Sequence, residues 1–191
     1  MQMLVDIHTH HPRPGVLSPI MAGIHPWDAE SHAPLPDLTT CDIIGETGLD
    51  GACGVDLGLQ EQLFREHLRA AEALKKPVVL HVVRCFERVM QILADYALRG
   101  VVFHGFIGSL EQAARATSKG YYLSYGYRSL RSKRTLEALK STPLDNLFVE
   151  SDDDPNADLE RLYSVVAEIK QIGAEELKTE ILKNYKQLIN R

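Results

Sequence analysis

The stretch Met3-Leu4-Val5-Asp6-Ile7-His8-Thr9-His10 carries an apolar run into two histidines spaced i and i+2. In an extended chain successive side chains alternate, so Asp6, His8 and His10 share one face and Val5, Ile7 and Thr9 the other. Two imidazoles on one face can grip one ion. Six more short apolar runs follow: Ile20 to Ile24, Asp42 to Gly45, Pro77 to Leu80, Val101 to Phe103, Tyr121 to Ser124 and Asn146 to Val149. Most lead into a helical pattern. The clearest is Leu59 to Lys75, where Leu63, Phe64, His67, Leu68, Ala71 and Leu74 recur at three and four residues; Arg84 to Leu98, Leu110 to Ser118 and Leu130 to Lys140 repeat the theme. Strands apolar on both faces, alternating with helices, call for a parallel sheet covered by helices. Their even spacing predicts an α/β fold of the TIM-like (β/α) barrel kind.

In such a barrel the chemistry gathers at the strand C-termini. That is where the polar residues fall: His8 and His10 after the first run, His25 after the second, Glu46 after the third, His81 after the fourth, His104 after the fifth and Asp152 past the seventh. Scattered histidines and carboxylates would not keep this phase, so the set outweighs any member. Singly, each has a plainer reading. An isolated HxH pair is more often a polar strand end than a ligand pair. Asp152-Asp153-Asp154 offers three carboxylates before Pro155, where like charges ordinarily mark a solvated loop. His25 divides between a substrate contact and a structural strand end. His67 lies on the apolar stripe of its helix, and His11 and His32 sit in proline-containing loops; none of the three needs a function.

Composition sets the outer bounds. With 191 residues, 45% of them hydrophobic and 25% charged, the chain reads as one domain, 1–191, able to bury a full core. A formal charge of -5 argues against holding nucleic acid by a general positive field, although bound divalent cations would make a site far more positive than the total. Three cysteines, Cys41, Cys53 and Cys85, lack CxxC spacing, so neither a disulfide framework nor a thiolate zinc cluster is supported. With no basic stretch leading into a long apolar segment, the expected setting is the cytoplasm, away from membranes.

The segments DIHTH at 6–10, GIHPW at 23–27, IGETGLD at 44–50, LH at 80–81, FHGFIGS at 103–109 and ESD at 150–152 resemble, in order, the TatD-like family of metal-dependent hydrolases, a branch of the amidohydrolase-type barrels. The resemblance implies two divalent ions, of zinc, manganese or magnesium. His8, His10, Glu46 and Asp152 would hold one, and Glu46, His81 and His104 the other, with Glu46 bridging. It further implies Asp152 and Glu46 as the catalytic carboxylates, Asp152 passing the proton of the attacking water. Imidazole and carboxylate without thiolate suit such cations independently. Asp6, on the inward face, could fix an imidazole through its second nitrogen. The activity implied is that of a deoxyribonuclease or phosphodiesterase, so the expected partner is DNA or another phosphodiester. A hydrolase of a small ester, amide or phosphate, and a non-catalytic metal-binding barrel, stand as alternatives.

Arg128, Arg131, Lys133 and Arg134 follow the sixth run and could reach phosphates, and a solvated helix face explains them nearly as well. Arg84 stands three residues past His81, where the family usually has its arginine two past. The largest departure lies between His10 and Met21. There the family inserts a helix, a strand and a second helix, and this chain has ten residues containing Pro12, Pro14 and Pro19. A crossover between parallel strands takes about a dozen residues or more, and prolines oppose helix and ladder alike. The expectation is a reduced or distorted barrel of about seven strands, lacking one unit near the N-terminus. It leaves an edge beside the first strand that a second subunit could cover.

Overall fold

A computed structural model describes residues 3–190, which form an α/β fold. They group into two compact units, 3–18 with 104–190, and Pro19–Phe103.

The unit Pro19–Phe103 contains β3 (Met21–Ala22), β4 (Ile43–Asp50), β5 (Val78–Val83) and β6 (Val101–Phe103), hydrogen-bonded in that order and all parallel. Ile43, Ile44, Val78, Val79, Leu80, Val101 and Val102 have no exposed surface, as expected for strands covered on both faces. Between β4 and β5 runs α1 (Leu57–Leu74), which buries Leu63, Phe64, His67, Leu68 and Ala71 at helical spacing. Asp56 caps it by accepting from Leu59 N (3.0 Å). Lys75 ends it in the left-handed region at φ 53°. The helix expected over Arg84 to Leu98 is the shorter α2 (Phe86–Leu93), because Arg84 at φ 56° and Cys85 at φ -122°, ψ 18° keep the chain out of helix until Phe86.

The other unit contains β1 (Leu4–Val5), β2 (Val16–Leu17), β7 (Tyr122–Tyr125) and β8 (Leu147–Val149), with α3 (Leu110–Thr117), α4 (Lys133–Ser141), α5 (Leu159–Lys170) and α6 (Ala174–Asn190). β7 pairs parallel with β8, and β1 with β2. β8 is tied to the β1 end by Ile7 N to Val149 O (3.3 Å), His10 N to Asp152 O (2.9 Å) and Asp152 N to His8 O (3.0 Å). Asn184 of α6 donates to Leu144 O (2.7 Å) and Leu147 O (3.0 Å), holding the start of β8. Tyr163 of α5, wholly buried, donates its hydroxyl to Val5 O (2.8 Å) and accepts from Val5 N (3.2 Å). Tyr163→Phe leaves both groups of Val5 short of a partner and is expected to cost about 1–3 kcal/mol, read as a lowered denaturant midpoint at unchanged m-value.

All seven apolar runs contain strands. The expectation of a wholly absent unit between His10 and Met21 needs correcting, because β2 lies there, giving eight strands among the described residues. What is missing is helix. Residues 6–15 carry the chain from β1 to its parallel neighbour without one, Val16 N bonding Arg13 O (3.2 Å) at the return. Pro12 and Pro14 exclude a helix, whereas the short apolar pair Val16-Leu17 still meets the pairing needs of Leu4-Val5. The edge expected to lie open beside the first strand is therefore occupied by β2.

Candidate functional site

In the unit holding β1, the strand is brief and bends after Asp6, so the strict alternation expected through His10 does not hold. His8 is 1% exposed and His10 54%. They still converge on one carboxylate: Asp152 Oδ1 is 3.5 Å from His8 Nε2 and 3.8 Å from His10 Nε2. His104 completes the group, its ring centroid 4.2 Å from that of His8. One donor atom from each of His8, His104 and Asp152 lies within 4.8 Å of the other two. Asp152 reaches this position through a left-handed backbone at φ 55° and a parallel bridge to Thr9. Behind His104, Glu150 places Oε1 3.3 Å from Nδ1; it is 1% exposed.

The neighbouring aspartates are accounted for separately. Asp153 receives both 3.0 Å contacts of Arg128 Nη2, and Asp154 accepts from Asn156 N (2.9 Å) in a turn. Arg128 also sets Nη1 3.6 Å from Asp152 Oδ2. Arg131, Lys133 and Arg134 are exposed. Asp6 does not orient an imidazole as expected: its oxygens accept from Ser151 N (2.9 Å) and Ser151 Oγ (2.6 Å), holding the segment that carries Asp152. Burial pushes its carboxyl up to about 6, against the lowering effect of the Ser151 bonds.

In the unit Pro19–Phe103 a second group is built on β4 and β5. Gly45 and Gly48 flank Glu46 where β4 presses on β5: a Cβ would meet Val79 O at 2.4 Å from Gly45 and His81 O at 2.1 Å from Gly48. The register between β4 and β5 slips between Ile44 and Thr47, re-aiming the chain at Glu46. Glu46 Oε1 lies 3.5 Å from His25 Nε2 and Oε2 3.9 Å from His81 Nδ1. Donor atoms of His25, Glu46 and His81 fall within 4.8 Å of one another. His81 Nε2 is 3.1 Å from Asp50 Oδ2. Burial opposes ionisation of Asp50, but bonds from Trp27, the Ala52 backbone and His81 outweigh it and hold the carboxyl below its usual range. An ionised Asp50 makes Nε2 the donor, which leaves Nδ1 as the ring nitrogen facing Glu46.

His25 has the opposite tautomer. Its Nδ1 accepts from Trp27 N (3.2 Å), capping the 3-10 turn Pro26–Ser31, so the neutral ring carries its proton on Nε2 and offers Glu46 a donor rather than a lone pair. His67, without an expected function, holds this loop: it accepts from Ile24 N (2.9 Å) and donates to Leu63 O (2.8 Å). Burial lowers its pKa, which keeps the acceptor nitrogen available.

Residues 15–190 match the family described as TatD related DNase. The chain belongs to that family. Among its relatives, a protein of Encephalitozoon cuniculi named as a TATDN1 deoxyribonuclease homologue is 32% identical over 151 residues, covering 75% of this chain and 54% of that protein. YjjV of Escherichia coli, named a metal-dependent hydrolase, is 31% identical over 164 residues, 77% of this chain and 63% of YjjV. The 3'-5' ssDNA/RNA exonuclease TatD of Cronobacter turicensis is 34% identical over 145 residues, 69% of this chain and 55% of that protein. The chain thus spans between half and two-thirds of the length of these relatives. The crystal structure of YjjV superposes with a TM-score of 0.81 over 99% of this chain and 98% of that one, at 22% identity. That likeness establishes the fold as a TatD-type barrel.

In this TatD-family chain, each of the six residues expected to be ligands lies in one of the two groups: His8, His10, His104 and Asp152 in one unit, Glu46 and His81 in the other. Sequence reasoning missed the two backing carboxylates, Asp50 and Glu150. The signal lay inside the quoted motifs, in the last residue of IGETGLD and the first of ESD, each in phase with a strand end. Asp50→Asn is expected to weaken metal binding about 10–100-fold, measured by competition with a chelating dye.

Proposed function

We propose that this TatD-family protein is a divalent-metal-dependent hydrolase of phosphodiester bonds in DNA. His8, His10, His104 and Asp152 in one group, and Glu46 and His81 in the other, are the ligands for two ions of zinc, manganese or magnesium. The observation that carries this reading is the carboxylate behind an imidazole in each group, Asp50 behind His81 and Glu150 behind His104. Such a pairing fixes the tautomer and raises the basicity of the opposite nitrogen, as a metal-binding histidine needs. The donors fit a cation. They are imidazole and carboxylate without thiolate, close enough to share one ion, and Glu150 Oε2 is buried without a hydrogen-bond partner, an unsatisfied acceptor beside His104.

Divalent ions bound there supply Lewis acidity, which eases ionisation of a water and offsets charge on a phosphoryl oxygen. Asp152 accepts the proton of the attacking water and returns it to the leaving oxygen. Arg128, beside Asp152, presents a guanidinium to a phosphate, and His25 presents its Nε2 proton next to Glu46. The relative named as an ssDNA/RNA exonuclease supports a single-stranded substrate. The chain acts as a single domain and works in the cytoplasm, a setting that suits the free thiols of Cys41, Cys53 and Cys85. No helix among the described residues is long and apolar enough to cross a membrane.

The test is nucleotide release from single-stranded DNA by protein loaded with each cation in turn, beside the same protein in EDTA. Cation-dependent release is expected. Absence of cleavage with all three cations would reject the reading.

A further inference from the structure

Trp27 sits against the second group in an orientation that reverses the usual habit of an indole. A tryptophan near a surface normally buries its apolar body and keeps its N–H in water. Here Nε1 is spent internally, donating to Asp50 Oδ2 at 2.7 Å, while 57% of the residue is open to solvent. The ring is also held edge to face by two imidazoles, with centroids 4.8 Å from His25 at 84° and 5.9 Å from His81 at 79°. Its backbone N–H is bonded to His25 Nδ1 in the 3-10 turn. One carboxylate oxygen of Asp50 thus orients both the exposed indole and the imidazole of His81. The result is a rigid aromatic surface, kept wet, beside groups suited to a phosphodiester.

From this geometry we infer that Trp27 is a stacking platform for a nucleobase of a single-stranded substrate, next to the bond that is cut. The inference rests on the phosphodiesterase reading above and adds what selects the substrate. Bases stack on aromatic side chains with little regard to sequence, and only an unpaired base offers a free face. A platform of this kind favours single strands over duplex. It needs no basic field, in keeping with the net charge of -5.

Trp27 is the one tryptophan of the chain, so its emission reports the contact directly. The binding experiment uses Glu46→Gln protein in magnesium, titrated with a thymidine hexamer, with an abasic hexamer of the same phosphate count, and with a blunt duplex. Saturable quenching by the thymidine hexamer is expected, with neither of the others reproducing it. Binding of the labelled thymidine hexamer by anisotropy with no change in emission would overturn the inference.

The catalytic experiment compares the thymidine and abasic hexamers as substrates of the metal-loaded wild type, Trp27→Leu and Trp27→Phe. The wild type is expected to favour the base-bearing strand about 10–100-fold in kcat/KM, Trp27→Leu to lose that preference and Trp27→Phe to recover part of it. If Trp27→Leu slows both strands equally, Trp27 acts only through Asp50 and His81 and the platform is rejected. If the wild type cleaves neither strand, the phosphodiesterase reading fails, and the emission titration still decides the platform.

Discussion

Asp152→Asn is expected to lower kcat on single-stranded DNA by about 10²–10⁴-fold, the range for loss of a positioned acid-base group. The amide is nearly isosteric but cannot accept the water's proton and is a poorer cation ligand. The backbone bonds that set Asp152, from its N–H to His8 O and from His10 N to its own carbonyl, do not depend on the side chain, so the fold should survive. Asp153→Asn is the contrast. That carboxylate is engaged by Arg128 at the surface, and its loss should leave kcat within a few-fold of wild type. Equal losses in the two variants would mean that Asp152 has no special role. Initial rates at saturating cation separate proton transfer from weakened metal binding, because added metal rescues only the latter.

Glu46→Gln should have the second large effect. The metal content of cation-saturated, desalted protein is expected to fall from about two ions per chain to about one, and activity by about 10²-fold or more. Glu46 presents Oε1 toward His25 and Oε2 toward His81, so neutralising it removes the negative charge around which both imidazoles are arranged. His81→Ala, which removes an imidazole and leaves the Glu46 carboxylate in place, should reduce affinity with smaller loss at saturating metal. Full activity of Glu46→Gln at two ions per chain would exclude Glu46 from both ligation and chemistry.

The alternation of apolar runs with helical stripes was enough to read the strand positions, because a strand covered on both faces must be apolar throughout and a covering helix must repeat at 3.6 residues. The six ligand candidates were legible for a related reason. In parallel α/β folds the strand C-termini converge, so chemistry leaves a regular phase in the sequence. β2 was not legible. A two-residue strand among prolines has no periodicity of its own and exists only because Leu4 and Val5 offer it a ladder.

The sequence by itself determined the α/β class, the order of the strands and the residue types available for chemistry. These follow from local periodicity and from composition at strand ends. Tertiary structure alone decided which acid serves which base. Asp6 bonds Ser151 rather than a histidine, Asp50 backs His81 across 31 residues, Glu150 backs His104 across 46, and of three adjacent aspartates only Asp152 turns to His8. Such pairings depend on backbone turns of single residues, the register slip at Glu46 and the left-handed Asp152 among them. They also depend on distances between segments far apart in the chain. A side chain's local pattern records that it is buried or exposed, and carries no record of the partner it will meet.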